Sequence, residues 1–122
     1  MSRSQILLVG GDPDITRTLE VYLGAYQFSV QKVNRGDEAL TFCHQSPPDA
    51  VIINWHLPDM AGYDLCHRIR LHKRAGNTFI LALLSTNERD VKLAALEAGA
   101  DDVLAQPIDM ENLRLVLLSA VT

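Results

Sequence analysis

Side chains able to do chemistry are few in this chain, and they are scattered. The four histidines, His44, His56, His67 and His72, form no His-x-x-x-His pair and no Cys/His cluster at metal spacing. Cys43 and Cys66 make neither a zinc motif nor a disulfide framework, and they read as buried free thiols. What remains sits in short segments. Gly10-Gly11-Asp12-Pro13-Asp14 joins two flexible residues to two acids. A glycine pair lets a ligand approach the backbone closely, and bare N–H groups there could receive a small anion or a nucleotide phosphate. No Gly-x-Gly-x-x-Gly or Walker pattern accompanies the pair. Asp12 is the acid nearest that loop, although it also reads as a structural acid at a helix start, with Asp14 as the cap. The other segments are Asn54-Trp55-His56, Ser85-Thr86 and Gln106-Pro107.

Each of these segments closes an apolar run. Ile6–Val9, Ala50–Ile53 and Phe79–Leu84 are continuous apolar runs, the pattern of strands buried on both faces. Phe28–Val33 is a short β-rich run, and Val103-Leu104 is a short strand. Helix-period segments lie between them. Ile15, Leu19, Tyr22, Leu23 and Tyr26 form one face. Residues 35–45 carry Ala39, Leu40 and Cys43 inward and stop at Pro47-Pro48. Leu65, Cys66 and Ile69 mark a third helix. A fourth is capped by Asn87, buries Val91, Ala94, Ala95 and Ala98, and ends at Gly99. A fifth is capped by Asp109 and buries Leu113, Val116, Leu117 and Ala120. The pattern predicts five β/α units. Strands joined by crossover helices are parallel, and strands apolar on both faces need helices on both sides of the sheet. The fold class is therefore α/β, a doubly wound five-stranded parallel sheet, in one domain over residues 1–122.

Composition sets the outer bounds. A chain of 122 residues with 48% hydrophobic and 21% charged residues can bury a core without disulfides or a structural metal. Eleven Lys and Arg against fifteen Asp and Glu give −4, and without a basic block direct nucleic-acid binding is not expected. Apolar runs such as Phe79–Leu84 are far shorter than the roughly 20 residues of a membrane span. Met1–Gln5 is polar and leads into a strand, so no signal peptide and a cytoplasmic location are expected.

Three segments carry a resemblance. Ile6-Leu-Leu-Val-Gly-Gly-Asp-Pro-Asp-Ile15 resembles the first strand and loop of response-regulator receiver domains. Ile52-Ile-Asn-Trp-His-Leu-Pro-Asp-Met-Ala-Gly62 resembles their phosphoacceptor strand and the loop after it, and Leu96-Glu-Ala-Gly-Ala-Asp-Asp-Val-Leu-Ala-Gln-Pro-Ile108 their fourth helix end and fifth strand. The resemblance implies a flavodoxin-like (βα)5 fold with strand order 2-1-3-4-5 and a site at the carboxyl ends of the strands. It implies phosphoryl transfer from a kinase phosphohistidine to an Asp, with Mg²⁺ on an acidic pair and the phosphoryl oxygens held by a hydroxyl and a Lys.

At each of these places the sequence departs from the family pattern. The phosphoacceptor position falls on Asn54, the acidic pair on Gly10 and Gly11, and the Lys on Gln106. Counting without gaps puts the hydroxyl position on Leu84, though a shift of one residue would bring Ser85 there. The aromatic-switch position falls on Val103. Asn54 cannot form an acyl phosphate, and Gln106 is expected to bond to it. Of the four histidines His56 lies closest to Asn54 in sequence, and Trp55 reads as loop packing or a partner contact.

The expectation is a pseudo-receiver without catalytic residues, with Mg²⁺ binding weak or absent and Asp12 as the residual acid. It would serve as a protein-interaction or dimerisation module, meeting a protein partner, a fused output domain or a second copy of itself. The candidate interaction face is Lys92, Asp101, Asp102, Glu111 and Arg114. Two alternatives stay open. One is a receiver still regulated by phosphorylation or Mg²⁺ through Asp12 or another acid. The other is a small-anion or nucleotide-binding domain built on the Gly10-Gly11 loop.

Overall fold

Five strands pair in parallel in the order β2-β1-β3-β4-β5 in the computed structural model, which describes residues 3–122. Met1 and Ser2, part of the polar start, lie outside the described residues. The strands are β1 (Ser4–Val9), β2 (Phe28–Val33), β3 (Ala50–Asn54), β4 (Phe79–Leu84) and β5 (Asp102–Ala105). The helices are α1 (Pro13–Gly24), α2 (Gly36–Gln45), α3 (Gly62–Leu71), α4 (Arg89–Glu97) and α5 (Met110–Val121). This is the expected doubly wound sheet. Among the described residues no helix is long and apolar enough to cross a membrane.

Side chains alternate across the sheet, so each continuous apolar strand feeds two cores. Leu7, Val9, Val51, Ile53, Ile80, Ala82 and Leu84 face one side, where they meet Ala39 and Cys43 of α2, Leu65, Cys66 and Ile69 of α3, and Ala95 of α4. Ile6, Leu8, Ile52, Leu81 and Leu83 face the other, against Leu19 and Leu23 of α1 and Leu113 and Leu117 of α5. Every residue of β3 is buried. Each large aliphatic side chain buried this way stabilises the fold by about 1.5–3 kcal/mol relative to exposure. The central strand is thus the most firmly held part of the molecule, and its last residue inherits that rigidity.

Helix ends follow the local signals with some exceptions. Asp12 caps α1, its side chain accepting from the Asp14 N–H at 2.8 Å, with Pro13 in the first turn. Asp109 caps α5 by accepting from the Asn112 N–H. Gly99 follows α4 at φ +116, as a left-handed terminator should. Asn87 does not cap α4: Glu88 holds that position, without a side-chain bond. Ala94 is exposed rather than inward, because α4 rests on the sheet mainly through Ala95 and Ala98.

Candidate functional site

The carboxyl ends of β1, β3, β4 and β5 open on a cleft of about 450 Å³. Gly10, Gly11, Asp12, Asn54 and Gln106 line it together with Asn34, Trp55, His56, Pro58, Leu83 and Ser85. Parallel strands with crossovers place all these ends at one edge of the sheet. Of the sequence candidates for this site, the fold therefore unites Asn54, both glycines, Asp12 and Gln106. It does not bring Leu84 or Val103 into the cleft. Leu84 is 1% exposed and belongs to the core, because alternation turns it away from the open edge. The hydroxyl facing the cleft is Ser85, whose Oγ lies 3.4 Å from His56 Nε2. Val103 packs half-buried against the same core.

Asn54 has the most specific environment. It is 8% exposed, and its Nδ2 donates to the carbonyls of Val9 at 3.2 Å and Gly10 at 3.0 Å. The amide thus clamps the end of β3 to the end of β1. A carboxylate cannot make these bonds, because it accepts only. The expected bond from Gln106 to Asn54 is not the one formed; the Asn54 amide is engaged by the two carbonyls at the end of β1 and in the residue after it. Gln106 is exposed just past β5, its N–H donates to the Leu84 carbonyl at 2.9 Å, and its peptide bond to Pro107 is cis.

The glycine pair is shaped around that clamp. Gly10 and Gly11 have φ of +69 and +98, in the region that disfavours a Cβ. A Cβ on Gly11 would lie 2.4 Å from Asn54 Nδ2, and one on Gly10 would lie 2.4 Å from Leu57 Cδ2. The space above the loop is filled from β3 and the segment after it.

Mg²⁺ requires hard oxygen ligands, usually with one or two carboxylates. Asp12 is the only carboxylate among the cleft residues, and it caps α1. Asn54 turns its N–H groups, which cannot ligate a cation, toward the Val9 and Gly10 carbonyls. The donor set does not fit Mg²⁺. Among the described residues no group of three or more His, Cys, Asp or Glu is placed to hold a metal ion.

The loop after β3 has a separate structural task. Asp59 reaches back to α2, accepting from the Gly36 N–H at 2.8 Å and the Asp37 N–H at 3.0 Å, with Arg35 at 3.9 Å. The hydrogen bond from Gly36 is the largest influence holding its carboxyl below the usual range, against some opposing desolvation.

The candidate interaction face is not a free row of charges. Asp101 Oδ2 is bound by Arg70 at 2.5 Å and also accepts from the Ile80 N–H at 2.8 Å. Arg70 in turn donates to the carbonyls of Gly99, Gly76 and Thr78, so the pair ties α3 to the entry of β5. Arg114 turns to α1, over the Tyr26 ring at 4.3 Å and toward the Tyr22 hydroxyl. Asp102 Oδ1 accepts from the Val103 N–H. Lys92 and Glu111 are left, and among the described residues they make no ion pair. The exposed side chains nearby are instead apolar: Leu93 and Leu96 on α4, Leu115 and Leu118 on α5.

A feature missed in the sequence is a basic stretch at the end of α3. From Leu65 to Asn87 there is no Asp or Glu, yet Arg68, Arg70, Lys73 and Arg74 fall there. Net charge conceals it, because fifteen carboxylates elsewhere outweigh it.

Known proteins share this architecture. A family model for the response regulator receiver domain matches residues 6–118. The response regulator protein PilR of Pseudomonas aeruginosa is 31% identical over 121 residues, covering 99% of this chain and 27% of PilR. A solved structure assigned as a response regulator of Chloroflexus aurantiacus superposes with a TM-score of 0.94 at 32% identity, covering 98% of both chains. The receiver domain of a sensor histidine kinase of Pseudomonas aeruginosa, solved with a magnesium ion coordinated in its active-site cleft, gives 0.90 at 26% identity and covers 98% of both chains. The chain spans between 27% and 50% of the length of the curated relatives it matches.

Proposed function

The chain belongs to the response regulator receiver domain family, and from that premise we propose that it is a receiver whose signal does not pass through a phosphoryl group at the end of β3. The observation that carries this reading is the pair of hydrogen bonds that Asn54 Nδ2 donates to the Val9 and Gly10 carbonyls. Acyl-phosphate formation needs an ionised carboxylate as nucleophile. An amide nitrogen has a delocalised lone pair, and here both its hydrogens are already engaged. Gly10 and Gly11 offer no carboxylate for Mg²⁺, and Gln106 offers no positive charge for phosphoryl oxygens. Ser85 reaches the cleft, but a hydroxyl alone supplies neither nucleophile nor metal site. We assign the cleft no catalysis.

Function then rests on surfaces. The edge formed by α4, β5 and α5, with exposed leucines beside Lys92 and Glu111, suits a protein partner, a fused output domain or a second copy. The charges alone would not hold such a contact, since exposed pairs are worth roughly 0–1 kcal/mol each.

The test is intact-mass spectrometry after incubation with acetyl phosphate and Mg²⁺. The expected result is no added phosphoryl group. An adduct mapping to residues 50–62 would overturn the reading, and one mapping to Asp12 would support a receiver regulated through a non-standard acid.

A further inference from the structure

We infer that the carboxyl end of α3 and the adjoining end of α2 form a docking groove for a short acidic, leucine-containing segment of a protein partner. The groove is a shallow, open depression of about 320 Å³ lined by Leu40, His44, Arg68, Leu71 and His72. Its floor is fixed. The His44 and His72 rings stack at 3.9 Å between centroids, 14° from parallel. Arg74 clasps the same corner, donating to the His44 carbonyl at 3.2 Å while its own N–H reaches His72 Nδ1.

The rim is cationic. Arg68, Lys73 and Arg74 make no ion pair among the described residues, and Asp64, one turn before Arg68, is not paired with it. A helix carboxyl end favours cations through its dipole, which accounts for Arg68 and Arg70. It does not account for Lys73 and Arg74 beyond the helix, nor for the absence of carboxylates from Leu65 to Asn87. The groove also has an apolar member. Leu71 is 72% exposed, the most exposed of the large hydrophobic side chains among the described residues. A stacked imidazole platform, exposed at His44 and half-buried at His72, with unpaired cations and one protruding leucine, matches a segment that alternates carboxylates with aliphatic side chains.

Long-range charge selects among anionic partners. Outside residues 65–87, seven cations face fifteen carboxylates, a formal −8. That field repels a nucleic acid, whose binding draws on many phosphates over a long track. A short acidic segment feels mainly the charges within a Debye length, about 8 Å at physiological salt. A lipid surface would need more apolar area than Leu71 provides.

The test is fluorescence anisotropy with a labelled peptide of sequence Glu-Leu-Asp-Glu-Leu-Asp. The expected result is binding that weakens as salt is raised. The triple variant R68Q/K73Q/R74Q should lose about tenfold in affinity, from exposed charge pairs of modest strength. L71S should weaken binding while leaving the salt dependence intact. R89Q removes an exposed cation from α4 and should bind as the wild type does. The substituted side chains lie on the surface, and circular dichroism confirms that each variant is folded. Equal binding by the triple variant, or equal binding of a peptide with Gln and Asn in place of the acids, would overturn the inference. So would preferential binding of a single-stranded oligonucleotide or of phosphatidylserine vesicles.

Discussion

Asn54 uses both amide hydrogens on β1, and the backbone of Gly11 passes directly beneath that amide. The two positions should therefore be energetically coupled. Gly11→Ala puts a Cβ into the amide and keeps φ in a costly region, for a loss of about 2–4 kcal/mol. Asn54→Ala removes two hydrogen bonds and leaves the Val9 and Gly10 carbonyls without those donors, for about 1–3 kcal/mol. The double variant should be more stable than the sum of the singles allows, by about 1 kcal/mol, because alanine at 54 vacates the space the new Cβ needs. Urea unfolding of the four proteins measures this; simple additivity would refute the coupling. The residue types at Gly10, Gly11, Asn54 and Gln106 were legible in the sequence as departures from the family pattern. Their interdependence was not, since Asn54 lies 44 residues from Gly10 and only the fold brings them together.

Elements were legible where their signals are local. A continuous apolar run located β4 to the residue and β3 by the polar residue that closes it, and a β-rich run located β2. Helix starts were legible where the cap is adjacent, as with Asp109; at α1 the acidic start was legible, but the cap is Asp12 rather than the expected Asp14. The start of α2 is different. Its own N-cap, Arg35, makes no side-chain cap bond, and Asp59 supplies the carboxylate from 23 residues away. This long-range cap has a pH signature. The Asp59 carboxyl is held below its usual 3.8, chiefly by the Gly36 N–H. A group whose folded-state pKa is lowered stabilises fully above its unfolded value, and that stabilisation is lost as pH falls through the folded value. Asp59→Ala should therefore melt lower than the wild type at pH 7, by a few degrees. The gap should narrow as the pH drops below 3.8, where the wild-type carboxylate becomes protonated. Melting temperatures of both proteins across that range decide the point; a gap independent of pH would mean that the charge of Asp59 contributes nothing to the cap. Asp101 and Arg114 show the same limit of local reading. Each looks like a surface charge, and each has its partner on a distant segment, Arg70 in one case and Tyr22 of α1 with Tyr26 just beyond it in the other.

On the scale of the whole molecule, one sheet separates two cores, and it is an open question of physics whether they melt together. Cys43 on α2 and Cys66 on α3 report on one side. Trp55, at the mouth of the cleft, packs against the same cluster. Burial raises both thiols from 9.0 to about 11, and for Cys66 the smaller influences of Arg70 and Asp101 oppose each other. Only the thiolate reacts with an aromatic disulfide reagent. At pH 8 the shift alone cuts the thiolate fraction about a hundredfold relative to an exposed cysteine, and burial blocks access besides. Labelling should therefore be silent in the native protein and appear only on opening. The strands β1, β3 and β4 contribute side chains to both cores, so neither face can loosen without exposing the other. Both thiols should then become reactive together, at the same urea midpoint as the change in Trp55 fluorescence, as a two-state unit of this size requires. Early reaction of either cysteine, ahead of the Trp55 transition, would show that α2 and α3 detach as a separate unit. In that case the platform formed by His44 and His72, which bridges the ends of those two helices, would be lost before the sheet itself unfolds.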